Sequence, residues 1–308
     1  MNIVYLGTPE FAVAPLKAII ETGKDKVVAV VTNKDKPVGR KKILTPPPVK
    51  VYAKSLGIKV LQYDKIRLEG VEDLKSLNAD LMVTCAFGQI LSREILDLAK
   101  LGVFNIHASL LPKYRGASPI HYAILNGEKE TGITVMKTDE GIDTGDIVLA
   151  EKLPIENQNC GQLFSQLSIL GGKCIVKALD LIREGKITFT KQDNQKATYT
   201  KIIKKEDAFL DFNDSAVNLI NKIRAYNPSP VAYTLLKGQP LKIFSAEIRQ
   251  DILQLKKGQV ALINGCLLVG TATCAVELVQ VQKAGGKCIY AKEFIKGNAL
   301  PNFFPDGE

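Results

Sequence analysis

The densest chemistry in the sequence lies in one stretch, Phe104-Asn105-Ile106-His107-Ala108-Ser109-Leu110-Leu111-Pro112-Lys113-Tyr114-Arg115-Gly116. Asn105 and His107 sit at the end of an apolar run that reads as a buried strand, and a period of two puts both side chains on one face. An amide there can donate to a developing oxyanion while an imidazole moves a proton. A buried histidine at a strand end is also an ordinary structural residue; the amide two positions before it is what turns the reading toward chemistry. A carboxylate to orient the imidazole is available in Asp139-Glu140-Gly141-Ile142-Asp143-Thr144-Gly145-Asp146, a tight acidic loop between two alternating segments. Spacing does not choose among Asp139, Asp143 and Asp146, and it is wrong for a calcium loop. His121, at a helix start among apolar neighbours, reads as structural. The segment Cys85-Ala86-Phe87-Gly88-Gln89-Ile90-Leu91 closes the preceding strand with an apolar, glycine-containing loop suited to wall a flat heteroaromatic ligand, or simply to fill the core.

The usual cofactor signatures are missing. The chain contains no GxGxxG, no GxxxxGK[ST], no GxSxG and no HExxH. Its six cysteines form no CxxC pair and it has only two histidines, so no common zinc-site spacing exists and no metal is expected. Scattered thiols of this kind read as reduced and mostly buried, which points to the cytoplasm. No apolar run approaches the ~18–20 residues that span a bilayer. The N-terminal Met1–Gly7 run has no basic flank and reads as a first strand, not a signal peptide.

The elements that must position these residues follow from periodicity. Asn2–Leu6, Lys26–Thr32, Lys59–Leu61, Asp80–Cys85 and Gly102–His107 read as strands. Helical patterns lie between them, with Thr8 as N-cap and Pro9 at the first helical position of one helix, and Pro48–Leu56 as another. Asn33–Pro48 reads as a polar loop. Such alternation predicts a parallel, doubly wound α/β sheet with its site at the carboxyl ends of the strands. Thr131–Lys137 and Asp146–Leu153 then alternate like an antiparallel pair, Gln162–Glu184 reads as a long helix, and residues 185–205 as a basic linker with one turn or strand at most. After a helix at Ser215–Ala225, five short strands follow, spaced by turns that include Lys237-Gly238 and Asn264-Gly265, the pattern of a small OB-like barrel. The expected organisation is a catalytic domain over 1–188, a linker over 189–207 and a barrel domain over 208–308.

A length of 308 residues with 46% hydrophobic and 24% charged residues excludes a wholly disordered or coiled-coil chain. The formal charge is +9, and the excess is concentrated: residues 34–42 carry five basic groups and one acid, 183–205 seven and two, and 215–300 eleven and four. Three basic stretches suggest a long polyanion as partner, against the plain alternative of a solvated basic surface.

Asn105-x-His107-x-Ser109-Leu110-Leu111-Pro112 together with Asp143 in Gly-x-Asp-Thr-Gly-Asp resembles the formyltransferases that use 10-formyltetrahydrofolate. The similarity runs along nearly the whole chain. Gly7-Thr8-Pro9-Glu10-Phe11, Lys36-Pro37-Val38-Gly39-Arg40-Lys41-Lys42, Pro46-Pro47-Pro48-Val49-Lys50, Ile223-Arg224-Ala225-Tyr226-Asn227-Pro228 and Lys283-Ala284-Gly285-Gly286-Lys287 resemble the branch of that family that formylates methionyl initiator tRNA. The resemblance implies a Rossmann-like catalytic domain, a linker and an OB-like domain. It implies Asn105, His107 and Asp143 as the catalytic trio and Ser109, Leu110, Leu111 and Pro112 as folate-binding. The side chains of Phe87, Ile90, Leu110 and Leu111 would then surround the pterin, with Leu91 beside them, Gln89 at the rim, and backbone of the 86–91 and 139–143 loops reading its edge. The Leu111–Pro112 bond is left open between cis and trans.

On the same resemblance Arg40, Lys41 and Lys42 would meet the tRNA acceptor end, and Lys204, Lys205, Lys283 and Lys287 would extend the track. The expected enzyme is a monomer that transfers formyl from 10-formyltetrahydrofolate to methionyl initiator tRNA. Two departures, Asn227-Pro228-Ser229-Pro230 where the family often has Asn-Pro-Trp-Pro, and Cys288-Ile289-Tyr290 after the lysine-rich motif, fall in the barrel and bear on tRNA contacts alone. A sugar-nucleotide formyltransferase or a formylfolate hydrolase would share the trio without needing the basic stretches. A non-catalytic tRNA-binding protein would not need the trio.

Overall fold

The computed structural model describes residues 1–39, 41–252 and 254–305. Its first strands, in chain order, are β1 Asn2–Gly7, β2 Lys26–Asn33, β3 Lys36–Val38, β4 Ile43–Thr45, β5 Val60–Tyr63, β6 Leu81–Cys85, β7 Val103–His107, β8 Arg115–Gly116, β9 Glu130–Lys137, β10 Ile147–Pro154 and β11 Tyr199–Thr200. Seven of them form one sheet in the order β10-β9-β7-β6-β1-β2-β5. The five from β7 to β5 are parallel, and β9 and β10 extend the β7 edge antiparallel. The chain winds outward from β1 through β2 to β5, then returns to the other side of β1 to lay down β6 and β7. The order thus reverses between β1 and β6, and sheets of this kind bind ligands at the carboxyl ends of the strands beside such a reversal.

Parallel strands covered on both faces need nearly continuous apolar sequence. Ile3, Val4, Tyr5 and Leu6 of β1 and Leu81, Met82 and Val83 of β6 are all fully buried. On one side Val4, Leu6, Val31 and Met82 pack with Tyr63, Ile66, Leu74, Phe87 and Val103. The long helix Cys160–Arg183 lies against β7 on the face opposite Asn105 and His107: a Cβ on Gly171 would stand 3.1 Å from the Ile106 side chain. Cys85, Cys160 and Cys174 are buried free thiols, pushed up to about 12 by desolvation.

Two local details differ from the sequence expectation. Thr8 does not cap a helix. Its hydroxyl accepts from the Asn33 backbone N–H at 3.2 Å and donates to the Phe87 carbonyl at 3.4 Å, so it ties the ends of β1, β2 and β6 together, while a 3-10 turn at Glu10–Ala12 leads into the helix Val13–Glu21. The segment read as a polar loop contains the β3–β4 hairpin. Val38, Ile43 and Leu44 on it are more than half exposed, so no burial pattern marked it as a strand pair.

The second compact unit holds Lys201–Glu308 together with Ile120–Lys129 and Ile155–Leu163. Its strands are β12 Tyr233–Leu236, β13 Gln239–Arg249, β14 Val260–Ile263, β15 Cys266–Gly270, β16 Ala275–Lys283 and β17 Ile289–Tyr290, in the antiparallel order β12-β13-β16-β15-β14 with β17 also on β16. Register shifts around Ile243–Ala246 curl the sheet into a half-barrel, as β-bulges do. Lys237-Gly238 and Asn264-Gly265 both hold positive φ in tight hairpin turns, as their sequence predicts. Ser215 caps the helix Ala216–Ala225 by accepting from the Asn218 N–H, and Leu219 and Ile223 of that helix bury against Leu241, Ile243, Val269 and Leu278. A Rossmann-like parallel sheet and a small curled antiparallel sheet are therefore both present.

His121 packs near Tyr226, with ring centroids 6.5 Å apart, and burial holds its imidazole below the ordinary 6.5. The unfolded chain takes up that proton first as pH falls, so the stability from the neutral, buried ring is complete above about pH 6.5 and is lost progressively as pH drops toward the folded-state value. The His121→Gln variant is expected to show a shallower loss of unfolding free energy between neutral and mildly acidic pH in urea titrations; parallel curves for the two proteins would contradict this.

Candidate active site

Asn105 and His107 end β7 with both side chains on the same face, as period two requires. The Thr84 hydroxyl on neighbouring β6 donates to Asn105 Oδ1 at 2.9 Å, and Asn105 Nδ2 donates to Asp143 Oδ1 at 3.3 Å. The opposite amide rotamer would set Oδ1 against a carboxylate, so this pairing fixes which end of the amide is the donor. Only one of the two Nδ2 hydrogens is used in this bond. His107 is 5% exposed; its Nε2 lies 2.9 Å from the Tyr114 carbonyl and its Nδ1 3.5 Å from Asp143 Oδ2. Both ring nitrogens thus face acceptors. A ring that donates from Nε2 turns Nδ1 toward the carboxylate, and a proton arriving on Nδ1 completes an ion pair.

Of the three acids left open by spacing, the geometry selects Asp143. Its Oδ2 also accepts the Gly116 backbone N–H at 2.8 Å, so amide, imidazole and main-chain donor converge on one carboxylate. Asp139 instead folds its own loop, accepting from the Gly141 N–H and the Thr144 hydroxyl. Asp143 sits at φ 53°, in the left-handed region that Asp tolerates better than most residues. The loop closes so tightly that a Cβ on Gly145 would overlap the Lys137 carbonyl oxygen. Gly116 has φ 105° and faces the Thr200 carbonyl at a distance that excludes a side chain.

The Ser109–Pro112 turn is held from below. The Ser109 hydroxyl donates to the Lys113 carbonyl at 2.6 Å; Thr134 on β9 donates to the Ser109 carbonyl at 2.7 Å and accepts the Leu111 N–H at 3.1 Å. Ser109 and Leu111 are buried, Leu110 and Pro112 half-buried, and the Leu111–Pro112 bond is cis. In the 86–91 loop the Phe87 ring packs into the core beside Val4, Leu6 and Tyr63, and Leu91 lies against the same cluster. Gln89 is a clamp: it accepts the Ile66 N–H at 2.8 Å and donates to Asn33 Oδ1 and the Tyr63 carbonyl. Ala86, Gly88 and Ile90 are the exposed members, so this loop presents backbone and Ile90 outward.

Lys41 and Lys42 are exposed at the β3–β4 turn, and Arg40 lies outside the described residues. Lys204 and Lys205 are exposed before the short turn at Glu206–Ala208, and Lys283 and Lys287 are exposed on either side of the Gly285-Gly286 turn. Among the described residues no group of three or more His, Cys, Asp or Glu side chains is arranged to hold a metal, and no helix is long and apolar enough to cross a membrane.

Sequence reasoning missed Thr84, Thr134 and Gln192. The two threonines looked like ordinary strand residues, and Gln192 reaches the site from far along the chain. Its Nε2 donates to the Asp143 carbonyl at 2.9 Å and the Gly145 carbonyl at 2.7 Å.

A parallel sheet with a strand-end Asn-His pair and a looped carboxylate, followed by a curled antiparallel domain, defines a class. The chain belongs to the formyltransferase family: a formyl transferase model matches residues 1–179 and a formyl transferase C-terminal domain model matches residues 202–299. Within that family it groups with the methionyl-tRNA formyltransferases. It is 43% identical over 303 residues to that of Bacillus licheniformis, covering 97% of this chain and 96% of the relative. It is 44% identical over 300 residues to that of Bacillus subtilis, covering 96% and 94%. Among solved structures, the N-formyltransferase from Helicobacter canadensis, in complex with folinic acid and dTDP-3-aminofucose, matches with a TM-score of 0.70 at 22% identity over 92% of this chain and 100% of that one. HypX from Aquifex aeolicus in complex with tetrahydrofolic acid matches with a TM-score of 0.67 at 17% identity over 99% of this chain, which spans about half (51%) of HypX. At these identities the two structures show a shared fold.

Thr134 is fully buried and both bonds of its hydroxyl are made to the Ser109–Leu111 backbone. Thr134→Val keeps the shape but leaves a buried carbonyl and N–H unpaired, so a loss of about 1–3 kcal/mol in urea unfolding is expected. An unchanged midpoint would show that the turn does not depend on this hydroxyl.

Proposed function

We propose that this chain transfers the formyl group of 10-formyltetrahydrofolate to the α-amino group of methionine esterified to initiator tRNA, and that it does so in the cytoplasm. The observation that carries the reading is the convergence of Asn105 Nδ2, His107 Nδ1 and the Gly116 N–H on the Asp143 carboxylate at the carboxyl end of β7. The methionyl-tRNA formyltransferases at 43–44% identity supply the acceptor, and the folate complex of HypX supports the donor class.

The neutral amine attacks the formyl carbon, and the carbonyl oxygen becomes an oxyanion. The second Nδ2 hydrogen of Asn105 donates to it; one preorganised donor in a dry site is worth about 2.7–4 kcal/mol. The attacking nitrogen then sheds a proton to the His107–Asp143 pair. The bond from the formyl carbon to the folate nitrogen breaks as that nitrogen is protonated from the same pair, so nitrogen–carbon bond formation, cleavage and proton transfer balance without another reactant. Ser109 to Pro112 and the outward backbone of the 86–91 loop, with Ile90, form the folate side. Residues 1–188 carry this chemistry. Residues 208–308 hold the tRNA, with 189–207 joining them, and Lys41, Lys42, Lys204, Lys205, Lys283 and Lys287 supply positive charge to phosphates. Arg40 belongs to the same basic loop by sequence.

The direct assay incubates the protein with 10-formyltetrahydrofolate and charged initiator tRNA and follows formylmethionyl-tRNA; formation of free formate without that product would refute the assignment. Asp143→Asn is expected to lower kcat by at least ~100-fold, the scale of a lost proton shuttle, with unchanged tRNA affinity. A defect confined to tRNA binding would remove Asp143 from the chemistry. Affinity for tRNA should fall steeply with added salt while folate affinity stays nearly flat, because released counterions accompany each phosphate contact. A flat tRNA response would show that the basic stretches do not bind its phosphates.

A further inference from the structure

Asp143 is gripped from two sides by parts of the chain that carry no recognised motif. Its carboxylate accepts the Gly116 N–H, and its carbonyl accepts from Gln192. Gln192 lies in the 190–200 segment, which returns to the catalytic unit after the long helix. Thr190 bridges to Ile147, the Arg115 N–H donates to the Thr198 carbonyl at 2.8 Å, and β11 pairs with β8. The Gln192 amide is used at both ends. Its Nε2 donates to the carbonyls of Asp143 and Gly145, and its Oε1 accepts from Arg115 Nε at 3.0 Å and Nη2 at 2.8 Å. Arg115 is 1% exposed, and its other partners are Asn194 Oδ1 and the Tyr199 hydroxyl. Among the described residues no carboxylate forms an ion pair with it; its side-chain hydrogen bonds all go to neutral oxygens, and the Tyr199 ring lies 5.9 Å from the guanidinium carbon.

That arrangement is costly for stability alone. A glutamate at 192 would pair with the Arg115 fork bidentately and offset the buried charge. It would also have no N–H to offer the 143–145 carbonyls. The residue present is the one that can join Arg115 to the acidic loop. We infer that Gln192 is a positioning residue for the formyl-transfer step: it sets the backbone of Asp143 so that the carboxylate meets Asn105 and His107, with Arg115 fixing the orientation of the Gln192 amide. This rests on the function proposed above and extends it to a residue outside the trio and the folate turn.

Gln192→Glu separates the two roles. It keeps or strengthens the Arg115 contact and removes both donors to the loop. The expected result is a thermal midpoint close to that of the parent protein, kcat lowered by ~10–100-fold, as for a reacting group displaced by a fraction of an ångström to one ångström, and KM values for tRNA and 10-formyltetrahydrofolate nearly unchanged. Full activity in this variant would overturn the inference and leave Gln192 as a partner of Arg115 only. Gln192→Ala combined with Asp143→Asn closes a double-mutant cycle. If Gln192 acts through Asp143, adding Gln192→Ala to Asp143→Asn costs little more, whereas fully multiplying losses would overturn it. Should Asp143→Asn alone retain full activity, the underlying assignment of Asp143 fails, and that outcome is distinct from a silent Gln192→Glu.

Discussion

The site depends on holding one carboxylate half-buried and correctly aimed. Asp143 is held by two donors, a side-chain amide and a backbone N–H, and faces an imidazole nitrogen. Each of those groups is held by something else. Thr84 fixes the Asn105 amide, the Tyr114 carbonyl fixes His107, and the β8–β11 pairing fixes Gly116. The carboxylate is therefore the point where a rigid parallel strand, an irregular acidic loop and a returning segment must agree in position. Electrostatic preorganisation of this kind is effective because no group has to reorient as charge develops.

The sheet supplies the rigid half of that agreement. Ile106 is locked against the helix Cys160–Arg183 on one face of β7, so Asn105 and His107 project from the other with little freedom. The loops supply the rest with unfavourable backbone conformations that the surroundings hold in place: positive φ at Ala86, Tyr114 and Asp143, and glycines where no side chain would fit. Strained positions of this kind cluster at functional sites more often than sheet packing alone requires, and here they gather at the strand ends beside Asn105 and His107.

How much of this was legible in the sequence follows from which interactions are periodic. The alternation of Asn105 and His107 was readable because a buried strand repeats every two residues, and the parallel sheet was readable from the apolar strands flanking helical patterns. The curled domain announced itself through Lys237-Gly238 and Asn264-Gly265, whose turn chemistry is local. The choice of Asp143 over Asp139 and Asp146 was not readable from spacing, because it is made by bonds to Asn105 and Gly116, distant in sequence. Gln192 was hidden for the same reason. Phe87 was expected as a wall for the pterin by its hydrophobicity, and the structure puts its ring in the core; a single aromatic residue gives no sign of which side of its loop it faces. The β3–β4 hairpin lies in a segment rich in Lys, Gly and Pro that reads as a polar loop, and its exposed apolar residues give no burial pattern by which strands are recognised.

In the proposed reaction, amide and imidazole act as one unit around Asp143. Single-turnover formyl transfer by Asn105→Ala, His107→Ala and the double variant measures it most directly. Groups that act as a unit lose their effect together. The double variant is expected to be hardly slower than the slower single one; losses that multiply in full would show two independent contributions and contradict a shared action.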